Sequence, residues 1–252
     1  MKQISDKAEI LNYLAAIRSG KAQKKLNFSC EYGLSSAYEM QNSLVKSLNK
    51  IVGGWKIGGS NFSSQKEFNS KEIFYGPIFK QNIYFKKDLQ RIDWNYPGEI
   101  EICFKIKKDI DQMDLNNKIS IIDSISIGIE FPRSSFVKVL NLSSLISDLC
   151  SSGSLLVLKE TPFRDLDFCE PIELSIFDEK KELYYFSSKN LLKDPLNIFK
   201  DFLSIFKSNN GTLFGGEYIA TGGISDCFVF PHSKNLSIKS NIFPTISFST
   251  HG

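Results

Sequence analysis

The stretch PGEIEICFKIKKDI, residues 97–110, carries two acidic side chains into the start of an apolar strand. Ile100 and Ile102 lie on one face of that strand, and the run ICFKI has the composition of a packed element. Glu99 and Glu101 fall on the opposite face, because residues i and i+2 of a strand point the same way. Their backbone positions are then about 7 Å apart. Two like charges so close repel unless a shared proton, an arginine or a divalent cation neutralises them.

Working outward, the same texture recurs after Asn49. Short apolar runs alternate with turns: IVGGWKIGG, FYGPIFK, SISIGIEF, GSLLVLKE, PIELSIF and ELYYFSS, then EYIATGG and IFPTISFST. One helix interrupts them at DPLNIFKDFLSIFKSN, with Asp194 as its cap and Pro195 in its first turn. Before residue 50 the spacing is helical. Ile10, Leu11, Leu14, Ala15 and Ile17 mark one helix. SSAYEMQNSLVKSLNK marks a second, with Ser35 or Ser36 as N-cap and Glu39 placed for a capping box. The expected class is α+β: a helical N-terminal region over residues 1–50 and a mixed-β body over 51–252 that forms one integrated unit with it. The tail 224–252 has few signals of its own.

Bulk properties narrow the function classes. The chain of 252 residues is 42% hydrophobic, enough for a sizeable core, and its net charge of +3 is scattered over the sequence. Neither a nucleic-acid stripe nor a membrane footprint is expected. The opening MKQISDKAEILNYLAAIRSGK is charged from the start, unlike a signal peptide. Five dispersed cysteines without CxxC spacing read as buried free thiols of a reducing compartment, so the cytoplasm is the expected location. His232 and His251 are the two histidines, too few for a His/Cys zinc site.

Two acids rarely hold a divalent ion alone. Glu130, ending the strand SISIGIEF, is either the third oxygen ligand or a plain strand-end charge beside Arg133. Lys56 sits among four glycines, Trp55 and Ile57 in GGWKIGGSN. It is either a surface lysine of a glycine turn or a pocket lysine, whose pKa burial would depress. Thr221, Gly222 and Gly223 end another strand; by themselves they read first as a strand leaving through a glycine turn, and otherwise as a hydroxyl and backbone N–H groups that bind a carboxylate.

Taken together, these segments resemble the fumarylacetoacetate-hydrolase-like superfamily, in its hydratase/decarboxylase branch. AYEMQ (37–41), VGGWKIGGSN, EIFYGPIF, EIEICF and IGIEF match its motifs in order. So does LLKDPLNIFKDFLSIFKSNNGTLFGGEYIATGG, and the collinearity runs from about residue 8 to 223. The resemblance implies a β-roll or sandwich body, Mg²⁺ or Mn²⁺ on Glu99, Glu101 and Glu130, and Lys56 in the active site. It implies substrate contacts from Ser60, Asp148, Ser151 and Thr221. Leu149 and Cys150 replace the Asn and Ala of the branch's D-N-A-S segment, and Glu217 replaces an aspartate. The implied reaction is hydration of a 2-hydroxydienoate, with decarboxylation of an oxalocrotonate-like diacid or plain binding of a keto acid as alternatives. For the diacid, Arg133 and Arg164 are the nearby candidates for a second carboxylate. The expected partners are a small 2-oxo acid and further copies of the chain, as a homo-oligomer.

Overall fold

The computed structural model describes residues 6–27, 29–109, 121–139, 141–163, 168, 170–232 and 234–251. Arg164 and Cys169 lie outside them. Helix α1 (Lys7–Arg18) starts on Asp6, whose side chain accepts from the Ala8 N–H. Helix α2 (Leu34–Leu48) begins on Gly33, two residues before the nearer of the expected caps, Ser35, and has no side-chain cap. The Ser36 hydroxyl is engaged instead by the Lys7 ammonium at 3.0 Å.

The strands that follow are β1 (Val52–Gly58), β2 (Phe74–Phe79), β3 (Ile83–Phe85), β4 (Glu99–Ile106), β5 (Ile122–Phe131), β6 (Ser154–Val157) and β7 (Thr161–Pro162). Two short helices punctuate them, α3 (Phe62–Phe68) and α4 (Leu142–Ser147). Next come β8 (Glu173–Asp178), β9 (Lys181–Ser187), helix α5 (Pro195–Ser208), β10 (Tyr218–Gly223), β11 (Asn235–Ser240) and β12 (Ile246–Ser249). Among the described residues one sheet runs β2-β1-β10-β4-β5-β6-β3, with β7 on β5; a second runs β12-β11-β8-β9. The first is mixed: β1 with β10 and β3 with β6 are parallel, and its other pairs antiparallel. β2 and β6, five places apart in that order, approach each other, so the sheet curls.

Alternation explains the layers. Ile100, Ile102, Phe104 and Ile106 of β4 point into the main core, and Cys103 joins a smaller cluster on the other side. The second sheet covers the main core with Leu174, Ile176, Leu236, Ile238, Ile246 and Phe248. Its β11 and β12 arise from the tail that carried little signal; each buries only two such residues. Helix α5, capped by Asp194 as expected, lays Ile198, Phe199, Phe202, Leu203 and Phe206 on the same core. The N-terminal helices share a cluster with the body: Ile10, Leu14, Met40 and Leu44 pack with Phe79, Phe136 and Leu149. Among the described residues no helix is long and apolar enough to cross a membrane.

Phe202 is fully buried between Tyr75 and Phe206, with ring centroids at 5.5 and 5.0 Å. Phe202→Ala is expected to lower stability by about 3–5 kcal/mol, read from urea unfolding.

Candidate metal centre

Two neighbouring strands, β4 and β5, bring the acids together. In the β4/β5 register Glu99 lies directly across from Glu130, and Glu101 follows two residues along on the same face as Glu99. One carboxylate oxygen from each of Glu99, Glu101 and Glu130 lies within 4.8 Å of the others. Glu101 and Glu130 are fully buried, and Glu99 is half-buried. β1 supplies the balancing cation. Its register seats Lys56 between Gly76 of β2 and Ala220 of β10, two small neighbours that leave a lane for the lysine stem. Trp55 and Ile57 turn to the other side, into the main core. The Lys56 ammonium donates to Glu130 Oε2 at 2.8 Å.

The Thr221-Gly222-Gly223 turn does bind a carboxylate, and it is the protein's own. The Gly222 N–H donates to Glu101 Oε2 at 2.8 Å. Gly222 has φ +95°, and a Cβ there would lie 1.9 Å from Ser60 Oγ, so glycine is required at this turn. Four buried polar atoms lack a hydrogen-bond partner among the described residues: Glu101 Oε1, Glu130 Oε1, Ser60 Oγ and Ser151 Oγ. Two are carboxylate oxygens of the triad and two are hydroxyls of a cavity of about 560 Å³. That cavity is also lined by Lys56, Glu99, Gly222 and Cys227.

Burial pushes the Glu99 carboxyl up to about 7, with Glu130 adding repulsion and Lys56 pulling the other way. Burial and the two neighbouring carboxylates hold Glu101 well above the ordinary carboxylate range. Burial by itself would lower the Lys56 pKa, but Glu130, Glu99 and Glu101 outweigh it, and the ammonium is held above its ordinary value. The depressed lysine of the sequence reading is thus corrected: three carboxylates surround it.

Three carboxylates against one ammonium leave a formal deficit of two positive charges in a low-dielectric site. A divalent cation removes that deficit. Oxygens within 4.8 Å of one another suit ligands at ~2.0–2.6 Å from one hard cation. The two orphaned carboxylate oxygens are the atoms such an ion would satisfy.

The remaining expected residues are placed differently. Ser60 and Ser151 line the cavity. The Thr221 hydroxyl donates to the Ile102 carbonyl at 3.0 Å and so ties β10 to β4. Asp148 has no exposed surface, and its carboxylate is taken by protein donors: Arg18 Nε at 2.8 Å, and the Ser135 hydroxyl and N–H at 2.6 Å each. A substrate contact from Asp148 is replaced by an internal ion pair. Arg133 is exposed, 3.6 Å from Asp93 and stacked over Tyr96 at 4.1 Å, and does not line the cavity. Cys30, Cys103 and Cys150 are buried free thiols as expected, whereas Cys227 is exposed. Sequence reasoning missed Arg18, and also Lys25 and Lys138, two exposed lysines that line the cavity. Nothing local to any of the three marks it.

No family model matches the chain, and no curated protein matches it in sequence. Solved structures do match. The 4-oxalocrotonate decarboxylase from Pseudomonas putida G7, solved with magnesium and adipate, superposes with a TM-score of 0.76 at 15% identity, covering 99% of this chain and 100% of that one. The chain has the fumarylacetoacetate hydrolase-like fold. Fumarylpyruvate hydrolase from Pseudomonas aeruginosa, solved with Mn²⁺ and pyruvate, gives 0.54 at 8% identity, over 91% of this chain and 97% of that one. A Yersinia pestis CO92 protein assigned to the fumarylacetoacetate hydrolase family gives 0.51 at 13% identity, over 79% and 92%. In this version of the fumarylacetoacetate hydrolase-like fold the triad lies where β4, β5 and the end of β10 meet.

Glu217, at the foot of β10, is buried, and its Oε2 accepts from Trp55 Nε1 and the Phe214 N–H at 3.2 Å each. Burial raises its carboxyl from 4.5 to about 7, against those two hydrogen bonds. The folded state therefore binds this proton more tightly, and stability is lost as pH rises from the unfolded value through about 7. Glu217→Gln keeps an acceptor and removes the charge. It should stabilise the protein by up to roughly 3 kcal/mol above that window and change little below it. Urea titrations at acidic and mildly alkaline pH check both the sign and the window.

Proposed function

We propose that the protein is a metal-dependent lyase acting on a 2-oxo or 2-hydroxydienoate acid. The observation that carries this reading is the buried triad Glu99, Glu101 and Glu130, with two orphaned oxygens and one ammonium beside it. All three acids would hold the ion, Mg²⁺ or Mn²⁺, by oxygen donors alone. Magnesium in the decarboxylase structure and Mn²⁺ in the hydrolase structure support the choice. When bound, such an ion supplies a Lewis acid for the carboxylate and 2-oxo oxygens of a substrate.

The chain's own groups do the rest. Glu130 is the one hydrogen-bond partner of Lys56 Nζ among the described residues, and an ammonium has three protons. Two remain for a substrate carboxylate. Because the lysine stays protonated, it anchors or gives a proton rather than taking one first. The unpartnered Ser60 and Ser151 hydroxyls are the cavity's hydrogen-bonding points for a substrate oxygen.

Hydration of a short 2-hydroxydienoate comes first: one water adds across the double bond, its proton to one carbon and its hydroxyl to the other. Histidine-activated hydrolysis is disfavoured, since no histidine lines the cavity among the described residues. Decarboxylation of an oxo-diacid is the second reading. Lys25 and Lys138, which line the cavity, favour it by offering cationic partners for a second carboxylate. The free thiols among the described cysteines support a reducing compartment, the cytoplasm, and no partner nucleic acid or membrane belongs to this reading. Exposed Ile51, Phe62 and Val137 supply apolar surface for assembly with further copies.

The test supplies 2-hydroxypenta-2,4-dienoate and the six-carbon oxo-diacid with Mg²⁺ and follows products by NMR. Hydration of the dienol is the expected result; release of CO₂ from the diacid alone would replace it with the second reading. Inertness toward both would overturn lyase function and leave keto-acid binding. Two variants locate the chemistry. Glu101→Gln should weaken Mn²⁺ binding at least tenfold by calorimetry, on the order of the usual effect of disturbing a metal's coordination. Lys56→Met should abolish turnover of the active substrate while still binding Mn²⁺, and unchanged turnover would reduce Lys56 to a structural lysine.

A further inference from the structure

The turn after α4 has an unusual backbone. Leu149, Cys150 and Ser151 have φ of 58°, 53° and 53°, three consecutive left-handed residues without a glycine among them. Side chains with a Cβ disfavour this conformation, so the surroundings must impose it. Arg18, the last residue of α1, does so from the far end of the sequence. Its Nε donates to Asp148 Oδ1 at 2.8 Å, one Nη to the Asp148 carbonyl at 2.7 Å, and the other Nη to the Ser152 carbonyl. One guanidinium thus grips both ends of the turn. Asp148 is held in place by the Ser135 hydroxyl and N–H.

The turn's other side rests on the strand next to Lys56. Cys150 Sγ donates to the Tyr75 carbonyl at 2.9 Å, and the buried Gln41 amide bridges that carbonyl to Ile146. Leu149 lies over Gly76, where a Cβ would come within 2.3 Å of its carbonyl oxygen. Gly76 is the register partner of Lys56. Stacked this way, the turn leaves the Ser151 hydroxyl nine-tenths buried, in the wall of the cavity, with no protein partner.

We infer that Arg18 is a positioning residue for the ligand cavity: by clamping the left-handed 149–151 turn, it aims the Ser151 hydroxyl at an oxygen of the bound ligand. This rests on the proposed metal-dependent chemistry. On this view the helix α1 completes the ligand site, although it contributes no residue that touches the ligand. The planar, multi-donor geometry of a guanidinium is what the clamp requires, since one group must reach two carbonyls and a carboxylate; a lysine ammonium cannot span them.

The experiment measures Mn²⁺ and then adipate binding by calorimetry for the intact chain, Arg18→Gln, Arg18→Lys, Ser151→Ala and the Arg18→Gln/Ser151→Ala double variant. The expected result is Mn²⁺ affinity within about threefold of the parent throughout, and adipate affinity at least tenfold weaker in every single variant. The double variant should be no weaker than the weaker single, because both changes remove one contact. A purely structural arginine would instead give additive losses, which would overturn the inference. Unchanged adipate affinity in Ser151→Ala overturns it alone, and that variant decides the matter if Arg18 variants fail to fold. A parent chain that binds no Mn²⁺ would overturn the metal reading instead, so the two failures are distinguishable.

Discussion

Three carboxylates held within 4.8 Å of one another beside a single ammonium are the constraint on which the rest of this structure depends. Like charges at that separation in a largely buried site are strongly unfavourable, because salt and bulk water screen them far less there than at the surface. Protonation is one remedy, visible in the raised carboxyls of Glu99 and Glu101. A divalent ion is the other. A chain that folded for stability alone would replace such a cluster with apolar side chains, often at no loss.

The architecture answers to this cluster at each level. β4 and β5 must pair in the register that sets Glu99 across from Glu130. A slip of one residue would turn those side chains into the apolar core. β1 must lie beside β10 and β2, so that Lys56 rises between Ala220 and Gly76 toward Glu130. The end of β10 must turn through a left-handed glycine to present an N–H to Glu101. The apolar faces of the same strands pack against the second sheet and α5, which keeps the acidic side rigid.

Much of this was legible in the residues. The alternation of EIEICFKI gave β4 its bounds, Glu99–Ile106, because one face is wholly apolar. Asp194 and Pro195 marked the start of α5 for an equally local reason. Lys56 stood out by its glycine neighbours. What stayed hidden depends on long-range partners. Asp148 reads as a free acid until Arg18, 130 positions away, is seen beside it. The left-handed turn at Leu149–Ser151 has no glycine to announce it, since tertiary contacts enforce it. Ser36 resembles a helix cap, yet it receives the Lys7 ammonium instead. The tail strands β11 and β12 have too few alternating positions to outweigh the turn residues around them.

Crystals grown with Mn²⁺ and measured at the manganese absorption edge would locate the ion directly. The charge balance requires one anomalous peak bonded to oxygens of Glu99, Glu101 and Glu130, at ~2.0–2.6 Å from each, with Glu101 Oε1 and Glu130 Oε1 among its ligands. A triad without such a peak at saturating Mn²⁺, its carboxylates bridged by protons alone, would contradict it.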